Sequence, residues 1–121
     1  MWPFTTAAPP ALRFRTIDSG FAIAGQISVA DVTKVAEAGF KTIVCARPDN
    51  EEPGQPPFAA IAAAAKTAGL NAVYIPVSGG IGEGQLIRME DALRTLPGPM
   101  FGYCRSGARA GSLFAAAKSL A

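Results

Sequence analysis

Pro99-Met100-Phe101-Gly102-Tyr103-Cys104-Arg105-Ser106-Gly107-Ala108-Arg109-Ala110 is a short apolar run that ends on a cysteine. Small residues and two arginines follow, and then a helix-forming stretch over residues 111–121. The order reads as strand, loop, helix, and it puts the Cys104 sulfur over a helix N-terminus. Free backbone N–H groups and the helix dipole favour an anion there. The thiolate is the reactive form of cysteine, and such a setting lowers its pKa. The expectation is a nucleophile, Cys104, in an anion-binding loop made by Arg105, Ser106, Gly107 and Ala108, with Arg109 as the cation that holds the bound group.

Alternating elements lead up to this stretch. Residues 1–12 carry Pro3, Pro9 and Pro10 and read as an irregular arm on which Trp2 and Phe4 are free to dock. Residues 13–121 read as one domain. It opens with a hairpin, strands at 14–17 and 21–24 around a turn at Asp18-Ser19-Gly20. Ser28 is a good N-cap with Asp31 at the third helical position, and Ile27 and Val32 have the spacing of a hydrophobic staple. Val32, Val35 and Ala36 line one face of that helix, and Gly39 ends it. Residues 41–46 form a buried strand around Thr42-Ile43-Val44, and 47–57 a polar, proline-rich loop. Phe58, Ile61, Ala62 and Ala65 mark a second helix that stops at Gly69, and a strand over 71–77 around Ala72-Val73-Tyr74-Ile75 follows. Residues 78–84 contain Gly79, Gly80, Gly82 and Gly84 and read as a turning or mobile loop. Leu86, Met89, Leu93 and Leu96 mark a third helix, which Pro97-Gly98-Pro99 breaks.

Strands alternating with helices predict an α/β fold, a mostly parallel central sheet flanked by helices on both faces. Ligands of such sheets sit beyond the carboxyl ends of the strands. Cys104, Cys45, Arg47 and the glycine-rich loop after Val77 all fall at such ends, so three loops are expected to converge on one place.

Composition narrows the chemistry. The chain has 121 residues, enough for one core, half of them apolar, with a net charge of +2. Its basic residues are scattered, which argues against a nucleic-acid partner. No apolar run reaches membrane-spanning length, and no basic segment followed by an apolar stretch marks a leader, so a cytoplasmic location is expected. The chain has no histidine, which rules out a Cys–His or Ser–His–Asp relay. Two cysteines without histidine leave too few ligands for a zinc site, and no cofactor is implied. In a reducing compartment a permanent Cys45–Cys104 disulfide is not expected, but a reversible one is.

Gly25-Gln26-Ile27-Ser28, Ala38-Gly39-Phe40-Lys41-Thr42-Ile43-Val44, Arg47-Pro48-Asp49 with Glu51, Ile75-Pro76-Val77, and Tyr103-Cys104-Arg105-Ser106-Gly107 with Arg109 stand in an order that resembles one bacterial family. It is the phosphatase-like domain of the beta-lactamase hydrolase-like proteins, also described as sulfurtransferases, and the likeness runs from about Phe14 to the C-terminus. The resemblance implies a tyrosine- or dual-specificity-phosphatase-like α/β fold with Cys104 and Arg109 as the catalytic pair. It also implies that Cys45 protects Cys104 from over-oxidation through a reversible disulfide.

Two chemistries compete for the loop. Arg109 is the fifth residue after Cys104, whereas tyrosine-phosphatase loops carry their arginine one residue later. The shorter form is similar to single-domain rhodaneses and makes a smaller ring of amides, suited to one sulfur atom. Dual-specificity phosphatases keep an aspartate after the Ile-Pro strand to protonate the leaving oxygen. Here Ser78-Gly79-Gly80-Ile81-Gly82 follows, with no acid before Glu83. The leading expectation is therefore a sulfurtransferase that moves sulfane sulfur from thiosulfate or a small persulfide to a thiol acceptor through a Cys104 persulfide. The alternatives are a phosphatase working through a phosphocysteine, with Asp49, Glu51 or Glu83 reaching in as the acid, and a non-enzymatic thiol redox module. Arg47 and Arg105 are expected to attract the anionic partner, whether sulfur donor or phosphorylated substrate. Cys45, Arg47, Asp49 and Glu83 are carried as accessory positions.

Overall fold

The computed structural model describes residues 11–120. The expected docking of Trp2 and Phe4 lies outside them. Five strands and four helices follow one another as β1 (Arg15–Asp18), β2 (Phe21–Ala24), α1 (Asp31–Glu37), β3 (Thr42–Cys45), α2 (Phe58–Thr67), β4 (Asn71–Tyr74), α3 (Glu83–Thr95), β5 (Met100–Tyr103) and α4 (Ala108–Lys118). The sheet order is β1-β2-β5-β3-β4, with β1 antiparallel to β2 and every other pairing parallel. β5, which delivers Cys104, lies in the middle.

Side chains alternate along each strand, so each strand feeds both faces of the sheet. Ala22, Ala24, Ile43, Cys45, Phe101 and Tyr103 pack with Val32 and Val35 of α1 and Ile61 and Ala65 of α2. Phe21, Ile23, Val44, Met100 and Cys104 pack on the other face with Met89 of α3 and Ala110, Leu113, Phe114 and Ala117 of α4. The α4 residues recur at helical spacing and form its buried stripe.

The helix starts differ from the sequence reading in instructive ways. Ser28 and Asp31 bond reciprocally as expected: Asp31 N–H to Ser28 Oγ at 3.2 Å, and Ser28 N–H to Asp31 Oδ2 at 2.9 Å. Residues 28–30 nevertheless form a tighter turn, closed by Asp31 N–H to Ser28 O and Val32 N–H to Val29 O, so α1 proper starts at Asp31. It ends where expected. Gly39 has φ +99°, and Gly39 and Phe40 donate back to Ala36 O and Val35 O. α3 starts at Glu83, inside the segment expected to be a loop. α4 starts at Ala108, three residues earlier than expected, which makes Arg109 a first-turn helical residue.

Close backbone approach at β5 sets where α4 begins. A Cβ on Gly102 would lie 2.7 Å from the Phe21 ring and 3.2 Å from Ala110 Cβ. The missing side chain lets the first turn of α4 sit directly on the sheet. Gly107, with φ +96°, then turns the chain into the helix in a conformation that residues with a Cβ rarely adopt.

A candidate thiolate site at the carboxyl edge of the sheet

Cys104 follows the last residue of β5, and its N–H donates to Ala24 O at 3.3 Å. The neighbouring strand therefore pins the start of the loop. The residue is 1% exposed and joins the core layer that packs on α3 and α4. The Gly107 N–H points at Sγ from 3.0 Å. Burial pushes the Cys104 thiol up, but the backbone N–H groups of Ala110, Ser106, Arg109 and Gly107 together outweigh it, and the net shift is downward. Ala108 is part of the helix start, and its N–H donates to Ser106 Oγ at 3.3 Å.

Arg109 projects from the first turn of α4. Its Nη1 donates to Glu51 Oε2 at 2.8 Å and to Val77 O at 2.9 Å, while Nη2 donates to Glu51 Oε1 at 2.8 Å. The paired bonds give the fork geometry typical of arginine and carboxylate. Arg109, first, and then Arg47 hold the Glu51 carboxyl down at about 2 against the cost of partial burial.

Arg47 is 1% exposed, so it does not offer its charge to an approaching anion as expected. Its donors are taken internally: Nε by Glu51 Oε1 at 2.9 Å, Nη1 by Gln26 Oε1 at 2.9 Å and Nη2 by Glu52 Oε1 at 2.5 Å. Arg105 does face solvent, its side chain 69% exposed and 3.5 Å from Glu52 Oε2.

Asp49 and Glu83 do not converge on the sulfur as acids. Asp49 Oδ1 accepts the Phe58 N–H at 2.8 Å at the start of α2, and Asp49 N–H donates to Tyr74 Oη at 2.9 Å. Tyr74 in turn stacks on Phe58, which ties down the loop over 47–57. Glu83 is the exposed first residue of α3.

Cys45 is adjacent to Cys104 along the sheet but faces the other way. Its register partner on β5 is Tyr103, one residue short of Cys104, so the two thiols enter opposite core layers. Both are free. Burial pushes the Cys45 thiol up, and Sγ donates to Arg47 O at 3.3 Å. This placement corrects the expected reversible disulfide and removes the geometric basis for a two-cysteine redox module.

Gln26, Glu52 and the Val77 carbonyl belong to the site without being expected there from the sequence, in which Glu51 reads only as a candidate acid. The available signal was the Arg47–Glu51 spacing of four residues beside a second glutamate.

A central parallel sheet, a cysteine-to-helix loop that gathers amides on one sulfur, and an arginine at the first helical turn define a phosphatase-like thiolate-loop domain. The chain belongs to the family of the beta-lactamase hydrolase-like protein, phosphatase-like domain, whose model matches residues 13–121. A beta-lactamase hydrolase-like protein of Agrobacterium fabrum is 39% identical over 105 residues, 86% of this chain and 24% of the relative. The chain thus spans about a quarter of the length of the curated relatives it matches. Among solved structures, a candidate phosphatase of Neisseria meningitidis is 32% identical with a TM-score of 0.74, covering 83% of this chain and 72% of that one. The catalytic core of the PP-IP phosphatase SIW14 from S. cerevisiae shares the fold, at 17% identity and a TM-score of 0.62, covering 94% of this chain and 69% of its own. Among the described residues no helix is long and apolar enough to cross a membrane.

Proposed function

We propose that this domain is a cysteine-dependent, phosphatase-type hydrolase for a small anionic phosphate ester or anhydride whose leaving group departs without being protonated. The observation that carries the reading is Cys104 at the strand-to-helix turn, with the Gly107 N–H on Sγ at 3.0 Å, the surrounding loop amides favouring the thiolate, and the Arg109 side chain interacting with it. In this reading the thiolate attacks phosphorus and forms an S–P bond. The bond from phosphorus to the leaving oxygen breaks, and that oxygen keeps the electron pair. Water then attacks the phosphocysteine, releases inorganic phosphate and returns the thiolate, with a proton passing to solvent. Amides of the loop and Arg109 stabilise the charge on the oxygens of the transferred group. The restriction on the leaving group follows from the carboxylates. Glu51 is held ionised by two arginines, Asp49 caps α2, and the segment after β4 carries no acid before Glu83.

A second reading, sulfur transfer, draws on the same missing acid and on the short spacing from Cys104 to Arg109. Here the thiolate attacks the outer sulfur of a small anionic donor. The donor S–S bond breaks, sulfite or a thiolate leaves with the electron pair, and a thiol acceptor later takes the sulfur from Cys104.

Intact-protein mass spectrometry separates the two. The protein is incubated with an aryl phosphate, an acyl phosphate, thiosulfate and glutathione persulfide in parallel, with Cys104→Ser as control. A phosphoryl adduct on Cys104, with phosphate release that saturates, supports the first reading. Addition of one sulfur atom with no phosphate release replaces it with the second. Arg109→Lys is expected to reduce turnover by about a hundredfold, because lysine supplies a point charge and no fork.

A further inference from the structure

Arg47 lies deeper than any other charged side chain of the site, and its three kinds of donor nitrogen reach three different residues. Gln26 holds it from β2's side of the sheet. The Gln26 amide is itself oriented by donation from Nε2 to Ile27 O at 2.8 Å, which leaves Oε1 for Arg47. The Arg47 backbone is held too, by the Cys45 thiol on its carbonyl. From this fixed base Nε fastens Glu51 Oε1, the same oxygen that accepts from Arg109 Nη2. Glu51 is partly exposed and sits on a loop between strand and helix, so without Arg47 its carboxylate is held only by Arg109, and the pair loses its tie to the buried side of the loop.

We propose that Arg47 is a positioning residue: it fixes the Glu51 carboxylate, and through it the guanidinium of Arg109 above Cys104. The proposal rests on the reading of Arg109 as the anion-binding group, and it holds equally for phosphoryl and sulfur transfer. Lysine at position 47 cannot replace the fork, because one ammonium cannot bond Gln26, Glu51 and Glu52 from separate directions. Arg47 does not touch the reacting group. Its removal should therefore weaken recognition of negative charge and leave the sulfur's reactivity toward neutral reagents largely unchanged.

Alkylation of Cys104 by iodoacetate and by iodoacetamide tests this with no natural substrate. Both reagents consume the same thiolate, so the ratio of their rate constants cancels the thiolate fraction and reads anion recognition alone. Wild type is expected to favour iodoacetate, and Arg109→Lys sets the floor of the ratio. Arg47→Lys should bring the ratio down about tenfold toward that floor, with the iodoacetamide rate within about twofold of wild type. In a Glu51→Gln background Arg47→Lys should add nothing further, the signature of one residue acting through another. An unchanged ratio in Arg47→Lys, or a drop that adds in full to that of Glu51→Gln, would overturn the proposal. If Arg47→Lys fails to fold, Gln26→Leu loosens the same anchor. It should lower the ratio several-fold, and a wild-type ratio there would equally overturn the proposal. A wild type that shows no preference for iodoacetate would overturn the anion-site reading itself. With that preference present, the outcome depends on the Arg47 and Gln26 variants alone.

Discussion

Arg109 and Glu51 stand 58 residues apart in the chain and meet through two parallel bonds of 2.8 Å each, Nη1 to Oε2 and Nη2 to Oε1. The pairing joins the first turn of the last helix to the loop after β3. The guanidinium at the start of α4 is thereby oriented by a carboxylate and not left to solvent.

Acid should expose this pairing. The Glu51 carboxyl titrates at about 2 in the folded chain, well below the roughly 4.3 of a free glutamate. A depressed carboxyl contributes stability in full above its unfolded value, and that contribution is lost as pH falls toward the folded one. Denaturation midpoints should therefore fall between about pH 5 and pH 2. In Glu51→Gln the dependence over that window should be shallower. An identical slope in the two proteins would show that the pair does not contribute to acid stability.

Cys104 should titrate below an ordinary thiol. Burial opposes the charged form, and the amides of Ala110, Ser106, Arg109 and Gly107 prevail. The rate of alkylation by iodoacetamide should rise to a plateau with a midpoint below about 8.5, the value of a free thiol. Cys45, pushed up by burial, should contribute no modified peptide near neutral pH. A midpoint at or above that of a free thiol would mean that the loop does not activate the sulfur.

Gly102→Ala should destabilise the protein by about 1–3 kcal/mol. The new methyl would start 2.7 Å from the Phe21 ring, which stacks on Phe114 with centroids 4.3 Å apart. Phe21 must move or α4 must lift from the sheet, so loss of Cys104 reactivity should accompany the lower midpoint in thermal denaturation. Wild-type stability would show that the ring gives way freely.

Mild peroxide should oxidise Cys104 without linking it to Cys45. The thiols enter opposite layers of the core, because Cys45 pairs with Tyr103 and not with Cys104. Non-reducing peptide mapping should find oxidised Cys104 with Cys45 still a free thiol. A linked Cys45–Cys104 peptide would require one strand end to turn over and would contradict the register.

Much of the scaffold was legible in the residues alone. Buried strands such as Thr42–Cys45 and the alternation of strand and helix imply a parallel sheet. Gly39 marked a helix end because only a left-handed residue lets the following amides turn back onto the last carbonyls. Less legible were helix starts without a side-chain cap. The start of α4 depends on Gly107 and on the close approach at Gly102, and neither leaves a cap signature.

The sequence by itself determined that a cysteine would sit at a strand end before a helix, with an arginine five residues on. That knowledge is local: hydrophobic period, a glycine turn and helix polarity act over a few neighbouring residues. Only the tertiary structure decided that Arg47 is buried, that Glu51 belongs to Arg109, and that Cys45 faces away from Cys104. The physical reason is the pairing of β3 with β5. Each strand fixes which of its own residues share a face, but the register between two strands decides which faces coincide. The same pairing brings the Glu51 loop over the start of α4, where two guanidinium groups meet one carboxylate.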